Sequence, residues 1–286
     1  MQLFLDVLLD TLLDTLKMLP FLFGVYLLIE YLEHKASDRL PNALRKMGAF
    51  GPLGGAALGC LPQCGFSVAA SNLYSGRLIS LGTLIAVFVA TSDEAVPILL
   101  ASPQGAGKVL GLIAAKLVVA AVAGLLIDVI IRLIRGRRNE QDEPYRDLCE
   151  DCGCEEHGVI YSAIKHTVQI TAFVFIISLF LGLGITLLGV DTLSRILMSD
   201  SPLQPLLTAL IGLIPNCAAS VVLTDLYAAG NLSFGSVVAG LSTGAGFGLV
   251  VLFRTNKSLK ENISIVAILY FVGVLAGMLL QLINFA

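Results

Sequence analysis

The chain has 286 residues, of which 56% are hydrophobic and 14% charged, with no Trp and a formal net charge of -3. Soluble globular domains contain roughly 45 to 50% apolar and about 25% charged residues, so this composition excludes an ordinary soluble domain. Several runs reach the roughly 18 to 20 apolar residues that cross a bilayer as a helix, which predicts an all-α polytopic membrane protein. The first residues lack the features of a cleaved signal peptide, and we expect them to remain in the mature chain.

Residues 1–34 form one apolar pattern in which Asp6, Asp10 and Asp14 share a helical face. A helix of this length would exceed the thickness of a bilayer, so we expect an interfacial or tilted first part and a kink near Pro20. A solvated face at the membrane surface explains the three aspartates more simply than a substrate path does.

Two apolar segments are interrupted halfway by a proline. Residues 47–76 break at Pro62-Gln63-Cys64, and residues 202–229 break at Pro215-Asn216-Cys217. Each half of either segment is too short to span a bilayer, which predicts a re-entrant helical hairpin with its tip at the break; two tilted crossings are the alternative. Broken helices of this kind line binding sites in secondary transporters.

The two interrupted segments are copies of one another. Superposing the two Pro-amide-Cys triplets aligns the flanking residues without a gap over roughly fifty positions, which indicates an internal duplication. The aligned pairs include Pro52 with Pro205, Gly59 with Gly212, Ser80 with Ser233, and Leu73-Tyr74 with Leu226-Tyr227.

Five further apolar runs predict membrane crossings at residues 78–100, 107–133, 159–188, 232–253 and 263–285. The first of them contains Thr91-Ser92-Asp93-Glu94. Adjacent carboxylates inside an apolar run are costly unless they meet water, a cation or a proton. We therefore predict that these four residues bind an ion or couple transport to protons; if the helix ends near Thr91, they are a cap at the interface instead.

Charge predicts the topology. Placing the basic loops 34–46, 132–138 and 254–260 in the cytoplasm requires three crossings in each half, with both hairpins re-entrant and both termini outside. Three crossings invert the second copy relative to the first, so the hairpin tips meet near the midplane. The predicted units are a first membrane repeat over 1–138, a cytoplasmic Cys-rich acidic linker over 139–157, and a second, inverted repeat over 158–286.

The two converging tips offer amides, thiols and hydroxyls as substrate ligands, namely Gln63, Cys64, Ser67, Asn216, Cys217 and Ser220. A pair of thiols suits a soft or borderline ion or trivalent arsenic, whereas amides and carboxylates suit a harder ion such as manganese. The alternative is that Cys64 and Cys217 are small side chains that fill tight helix contacts.

The linker carries a second cluster of metal-ligand types, Cys149, Cys152, Cys154 and His157. Their density and the surrounding acids are consistent with capture of a zinc-like or thiophilic cation, although the spacing is not that of a standard zinc finger. An acidic linker with incidental cysteines is the alternative. A loop in the reducing cytoplasm is not expected to form disulfides.

No phosphate-binding glycine loop, catalytic triad or nucleic-acid patch is present in the sequence. We therefore expect a secondary transporter rather than an enzyme, with the bilayer and a metal ion or small solute as partners and no resident cofactor; assembly into a homo-oligomer is left open. A transporter or channel for a small organic solute or anion bound by the hairpin helix ends is the main alternative. A membrane-embedded enzyme or redox protein is a second one, which the duplicated tips disfavour.

The turns Leu61-Pro62-Gln63-Cys64-Gly65 and Ile214-Pro215-Asn216-Cys217-Ala218, together with Thr91-Ser92-Asp93-Glu94-Ala95, carry a resemblance that covers nearly the whole chain. The chain resembles the bacterial family of ten-helix heavy-metal exporters, also labelled manganese transporters. It is more distantly similar to arsenical permeases, whose corresponding turn has a second cysteine where Gly65 or Phe66 stands here. The resemblance implies efflux of a divalent metal or metalloid across the inner membrane.

Overall fold

The computed structural model describes residues 50–61, 65–92, 95–101, 105–134, 159–188 and 203–284, with short helical stretches between 7 and 27. The described residues form α-helices and no strand, as the composition predicts. Eleven helices are bounded within these ranges: α1 Gly51–Gly59, α2 Gly65–Ser75, α3 Leu81–Ala90, α4 Ala95–Ala101, α5 Gly105–Ile134, α6 Val159–Leu188, α7 Gln204–Gly212, α8 Cys217–Ala228, α9 Phe234–Thr243, α10 Phe247–Thr255 and α11 Leu259–Asn284.

Helices α1–α5 recur as α7–α11. Gly51, the first residue of α1, precedes Gln204, the first residue of α7, by 153 positions, and the starts of α3 and α9 are separated by the same interval. Pro62 and Pro215 are also 153 positions apart. The sequence duplication is therefore matched, helix by helix, in the secondary structure.

Helices α1 and α3 lie side by side and run in the same direction. Gly51, at the start of α1, faces Thr83, and Gly59, at its end, faces Val87 and Ala90. Since α3 begins at the level where α1 begins, α2 must bring the chain back from the end of α1 to that level. The glycines permit this packing because a Cβ on Gly59 would lie 2.6 Å from the carbonyl oxygen of Val87.

The second half repeats this parallel register. At the start of α7, Gln204 Oε1 accepts a hydrogen bond of 2.7 Å from the hydroxyl of Ser236. Near its end, the Ala209 carbonyl accepts one of 2.7 Å from Thr243 Oγ1. Helix α8 therefore returns the chain before α9, as α2 does before α3.

Two long helices flank the broken ones. Helix α5 is antiparallel to α3, because Gly124 packs on Gly82, whereas Lys116 reaches Thr91. Helix α11 contacts α9 in the same antiparallel way, and both long helices expose apolar side chains such as Leu110, 72% exposed. Such outward apolar faces suit contact with lipid, and both helices are long and apolar enough to span a bilayer.

The two halves interlock through their hairpins. Helix α2 packs on α10 of the second half, where the Ser71 hydroxyl donates to the Gly248 carbonyl at 2.7 Å. Further along both helices, the hydroxyls of Ser75 and Thr255 are 2.7 Å apart, so α2 and α10 run in the same direction. The reciprocal contact is made by α8 on α4.

Two crossings that the sequence predicts as single runs are each divided in the structure. The segment 78–100 is split because α3 ends at Ala90 and α4 begins at Ala95, and the segment 232–253 is split at Gly244–Gly246. The second break depends on glycine, because Gly246 has φ +51°, a conformation that side chains disfavour. Both breaks lie inside candidate membrane spans, Leu81–Ala101 and Phe234–Thr255.

Candidate functional site

A cavity of about 30 Å³ lies between the second hairpin tip and the two helix breaks. This volume accommodates one or two water molecules, or one ion that has lost most of its hydration shell. Three stretches line it: Thr91, Ser92 and Ala95 at the first break; Gly212, Ile214, Asn216, Cys217, Ser220 and Leu223 at the hairpin; and Gly240, Leu241, Gly244, Gly246 and Phe247 at the second break.

The second hairpin tip is built by a proline and an N-cap. Pro215 prevents α7 from continuing into α8, because a proline has no N–H to donate within a helix. Asn216 then caps α8, and its Oδ1 accepts a hydrogen bond of 3.0 Å from the Ala218 N–H. Cys217 is the first residue of α8, and its thiol is partly buried. The Ser220 hydroxyl, one turn on, donates to the Cys217 carbonyl at 2.8 Å.

The first break presents two buried hydroxyl residues to the cavity. Thr91 and Ser92 are 4% and 5% exposed. Thr91 ends α3, and its hydroxyl donates to the Val87 carbonyl at 2.8 Å, while the Ser92 hydroxyl donates to the Ala90 carbonyl at 3.3 Å. Both hydroxyl oxygens keep lone pairs that can accept from, or coordinate, a guest in the cavity.

The two breaks differ in charge. With the 153-residue offset, Asp93 and Glu94 of the first break correspond to Gly246 and Phe247 of the second. The duplication has therefore kept the breaks while leaving acidic residues in one of them. Gly246 supplies the backbone freedom at the second break, and Phe247 lines the cavity.

A buried lysine, absent from the sequence-based predictions, joins the two breaks. Lys116 lies near the middle of α5 and is fully buried. Its Nζ donates to the Thr91 carbonyl and, at 2.8 Å, to the Leu241 carbonyl. A single lysine inside an apolar run was the available signal, because intramembrane charges are rare and mark functional positions.

A second buried charge has a structural explanation. Asp128, 4% exposed, accepts hydrogen bonds from the Ser80 hydroxyl at 2.7 Å and from the Gly82 N–H at 2.8 Å. These groups form the N-terminus of α3, where a carboxylate is favoured by the helix dipole and the unpaired N–H groups. Asp128 therefore caps α3 and lies outside the cavity.

The structure brings five of the sequence-predicted residues to one cavity and leaves Ser67 elsewhere. Thr91, Ser92, Asn216, Cys217 and Ser220 line the cavity. Ser67 is fully buried at the contact between α2 and α10, where it faces Gly248. The remaining predicted residues lie outside the described part of the chain: Gln63, Cys64, Asp93, Glu94, Cys149, Cys152, Cys154 and His157.

The cavity wall combines a soft ligand with hard ones. The Cys217 sulfur suits soft and borderline cations, whereas the Asn216 side chain and the hydroxyls of Thr91, Ser92 and Ser220 supply harder oxygen donors. No group of three or more His, Cys, Asp or Glu side chains is close enough to hold a metal among the residues that the structure describes. The described part of the wall thus combines one thiol and four other polar side chains with glycines and apolar residues.

Comparison with known proteins gives one family. A family model described as "Putative, 10TM heavy-metal exporter" matches residues 1–191 and 154–285, which together cover almost the whole chain. No curated protein and no solved structure matches.

Proposed function

Because the chain belongs to this family of 10TM heavy-metal exporters, we propose that it exports a divalent metal, manganese-like in charge, or a thiophilic metalloid by secondary active transport. The substrate binds at the hairpin tips, and proton exchange drives its export across the bacterial inner membrane. The observation that carries this proposal is the cavity at the helix breaks, where Cys217, Asn216 and Ser220 meet Thr91 and Ser92 inside the membrane-spanning part of the protein.

The helix lengths and registers support re-entrant hairpins. The hairpin arms have 9, 11, 9 and 12 residues. At about 1.5 Å per residue, each covers roughly half of a hydrocarbon core about 30 Å thick. Because α1 is parallel to α3, and α7 to α9, each hairpin returns to the side from which it entered.

The contacts between halves support inverted repeats. Helix α10 runs in the direction of α2, which is opposite to that of α1 and α3. Helix α10 also runs in the direction of α9. Gly273 of α11 lies beside Thr243, at the end of α9, whereas α11 begins 14 residues before Gly273, at Leu259. Because α10 connects the end of α9 to Leu259, it continues away from the break. Helices α3 and α9 therefore run in opposite directions, as alternating access between inverted repeats requires.

The distribution of basic residues supports the orientation. One end of the described helices carries Arg77, Arg132, Arg254, Lys257 and Lys260, and we assign it to the cytoplasm. The first hairpin then enters from the cytoplasm and the second from outside, and both chain termini face outward. The linker 139–157 is cytoplasmic in this orientation, so Cys149, Cys152, Cys154 and His157 would capture the metal before export.

The acids of the first break are the proposed coupling groups. Asp93 and Glu94 follow directly after Thr91 and Ser92, which line the cavity. Carboxylates next to a cation site can bind either the metal or protons, and this competition couples the two fluxes. The sequence has no phosphate-binding glycine loop, which favours an ion gradient over ATP as the energy source.

One observation favours an anion or small organic solute as the substrate instead. The described cavity wall contains no carboxylate, whereas the N-terminus of α8 points partial positive charge at it and the Lys116 ammonium bonds to two of its carbonyls. Helix N-termini bind carboxylates and other anions in this way. In that case Cys64 and Cys217 only fill space.

Counterflow in proteoliposomes tests the proposal across manganese, zinc, cadmium, arsenite, an organoarsenical and several organic anions. Wild type is compared with Cys64→Ser/Cys217→Ser and with a linker variant in which Cys149, Cys152 and Cys154 are serine. We expect flux of one metal or metalloid that is lost in the tip variant. Flux of an anion alone, unchanged in the tip variant, would favour the organic-solute function. Retained flux in the linker variant would show that the linker does not feed the site.

A further inference from the structure

We propose that Lys116 is a positioning residue for transport: its ammonium is a tethered internal cation, bound at a site formed by the carbonyl oxygens of Thr91 and Leu241. The proposal rests on the transport function above. The proposal goes beyond that function because it assigns a role to a charged residue outside the hairpins and a common cation site to the two breaks.

Both carbonyls lie at the C-terminal end of a helix, where carbonyl oxygens have no hydrogen-bond partner within the helix. Thr91 is the C-cap residue of α3, and Leu241 lies in the last turn of α9, which ends at Thr243. The last four carbonyls of a helix have no intrahelical partner, and the helix dipole makes that end negative. Both negative helix ends therefore attract an ammonium that lies between them.

A packing role alone does not account for a lysine at this position. The residue that corresponds to Lys116 in the second half is Leu269, which is also fully buried. The duplicated fold therefore accommodates an apolar side chain at this level of the long helix. Burying an ammonium costs free energy unless it is paired, so the lysine depends on polar partners that the leucine does not need.

The position of Lys116 links the two halves of the protein. It bonds to α3 in the first half and to α9 in the second, 25 and 125 residues away in sequence. Thr91 and Leu241 both line the cavity. The ammonium therefore holds the two breaks together, sets the width of the cavity between them, and keeps these carbonyls from binding inorganic cations. The side chains of the hairpin tip therefore bind the substrate.

Two substitutions separate charge from hydrogen bonding. Lys116→Arg keeps a cation that can donate to both carbonyls, whereas Lys116→Gln keeps a donor without the charge. For the metal that wild type transports, we expect Lys116→Arg to retain counterflow and Lys116→Gln to lose it by about tenfold or more, since small displacements at a binding site are costly. Lys260→Gln, at an exposed position of α11, is the control and should behave like wild type. Equal activity of Lys116→Gln and wild type would overturn the proposal.

A binding measurement tests the cation site without transport. Lys116→Ala leaves space beside the two carbonyls, so methylammonium should raise its thermal unfolding temperature in detergent, whereas tetramethylammonium, which has no N–H donor, should not. Wild type and Lys260→Ala should respond to neither ion. The absence of a methylammonium effect on folded Lys116→Ala would overturn the proposed site. Failure of wild type to transport any metal would instead overturn the proposed function, and the stabilisation measurement would still decide the site.

Discussion

Arg77 and Glu261 form an ion pair that joins the end of the first hairpin to the beginning of α11, with Arg77 Nη1 2.7 Å from Glu261 Oε1. A second hydrogen bond of 3.0 Å joins Nη2 to Oε2, and the Tyr74 hydroxyl also donates to Glu261. Arg77 has φ +60°, and the corresponding residue of the second half is Gly230, with φ +81°. The ion pair therefore lies at a left-handed turn. The second half makes the equivalent turn with a glycine.

Replacing Glu261 with Gln should destabilise the contact between the halves. The substitution leaves the Arg77 guanidinium only partly exposed and without its carboxylate, and such a loss costs about 1 to 3 kcal/mol. Thermal or denaturant unfolding in detergent measures the change. Lys260→Gln, at an exposed neighbouring position, is the control and should have little effect. Equal stability of Glu261→Gln and wild type would show that the pair is too solvated to matter.

Gly212→Ala should disrupt the packing that positions the second hairpin tip. A Cβ at Gly212 would overlap the carbonyl oxygen of Gly240, which is backbone and cannot move aside cheaply. Overpacking of this kind costs about 1 to 3 kcal/mol. Gly111→Ala is the matched control, because a Cβ there would have nothing within 4 Å and alanine favours a helix. We expect lower unfolding temperature and lower transport for Gly212→Ala only; unchanged stability would contradict the close packing.

Asn216 has two separable roles, as a helix cap and as a candidate ligand. Asn216→Ala removes the cap of α8 and should lower stability by about 1 kcal/mol. Asn216→Ser retains a capping oxygen at this position, so it should have the stability that Asn216→Ala loses. It lacks the amide. If the amide binds substrate, Asn216→Ser will still raise the KM for transport. A KM equal to that of wild type would restrict Asn216 to capping.

The equivalent serines Ser67 and Ser220 should respond differently to the same substitution. Ser220 lines the cavity, so Ser220→Val should raise the KM for metal in counterflow assays with little loss of stability. Ser67 packs against Gly248, and the larger side chain of Ser67→Val should cost about 1 to 3 kcal/mol of stability. The reverse result, a KM effect from Ser67 alone, would place the substrate at the other half-site.

Cys64→Ala is expected to abolish transport while the protein remains folded, and Cys217→Ala should do the same if both tips bind the substrate. Removing a soft sulfur ligand weakens the binding of a thiophilic metal more than it weakens helix packing. Counterflow measures transport, and size-exclusion chromatography of the purified variants checks folding. Wild-type flux in Cys64→Ala would remove that thiol from the site.

Much of the fold was predictable because its causes are local. The run 159–188 predicts α6 with the bounds that the structure has, and the predicted helix 107–133 lies within α5. The interruption at Pro215 predicts the turn between α7 and α8, because a proline acts on its own backbone and on the preceding turn. The break at Gly244–Gly246 was missed, since glycines are common inside membrane helices and do not by themselves end one.

The sequence by itself determined the membrane class, the duplication, most of the helix positions and the candidate tip residues, because hydrophobic length, repeat offset and proline chemistry are all properties of the chain taken in order. Only the tertiary structure decided which of these residues meet. It separated Ser220 from its equivalent Ser67, brought Thr91 and Ser92 to the second hairpin, and placed the Lys116 ammonium between two helix ends that are distant in sequence. These contacts depend on how the hairpin of each half packs against the broken helix of the other, and that packing arises from side-chain shapes in both halves together.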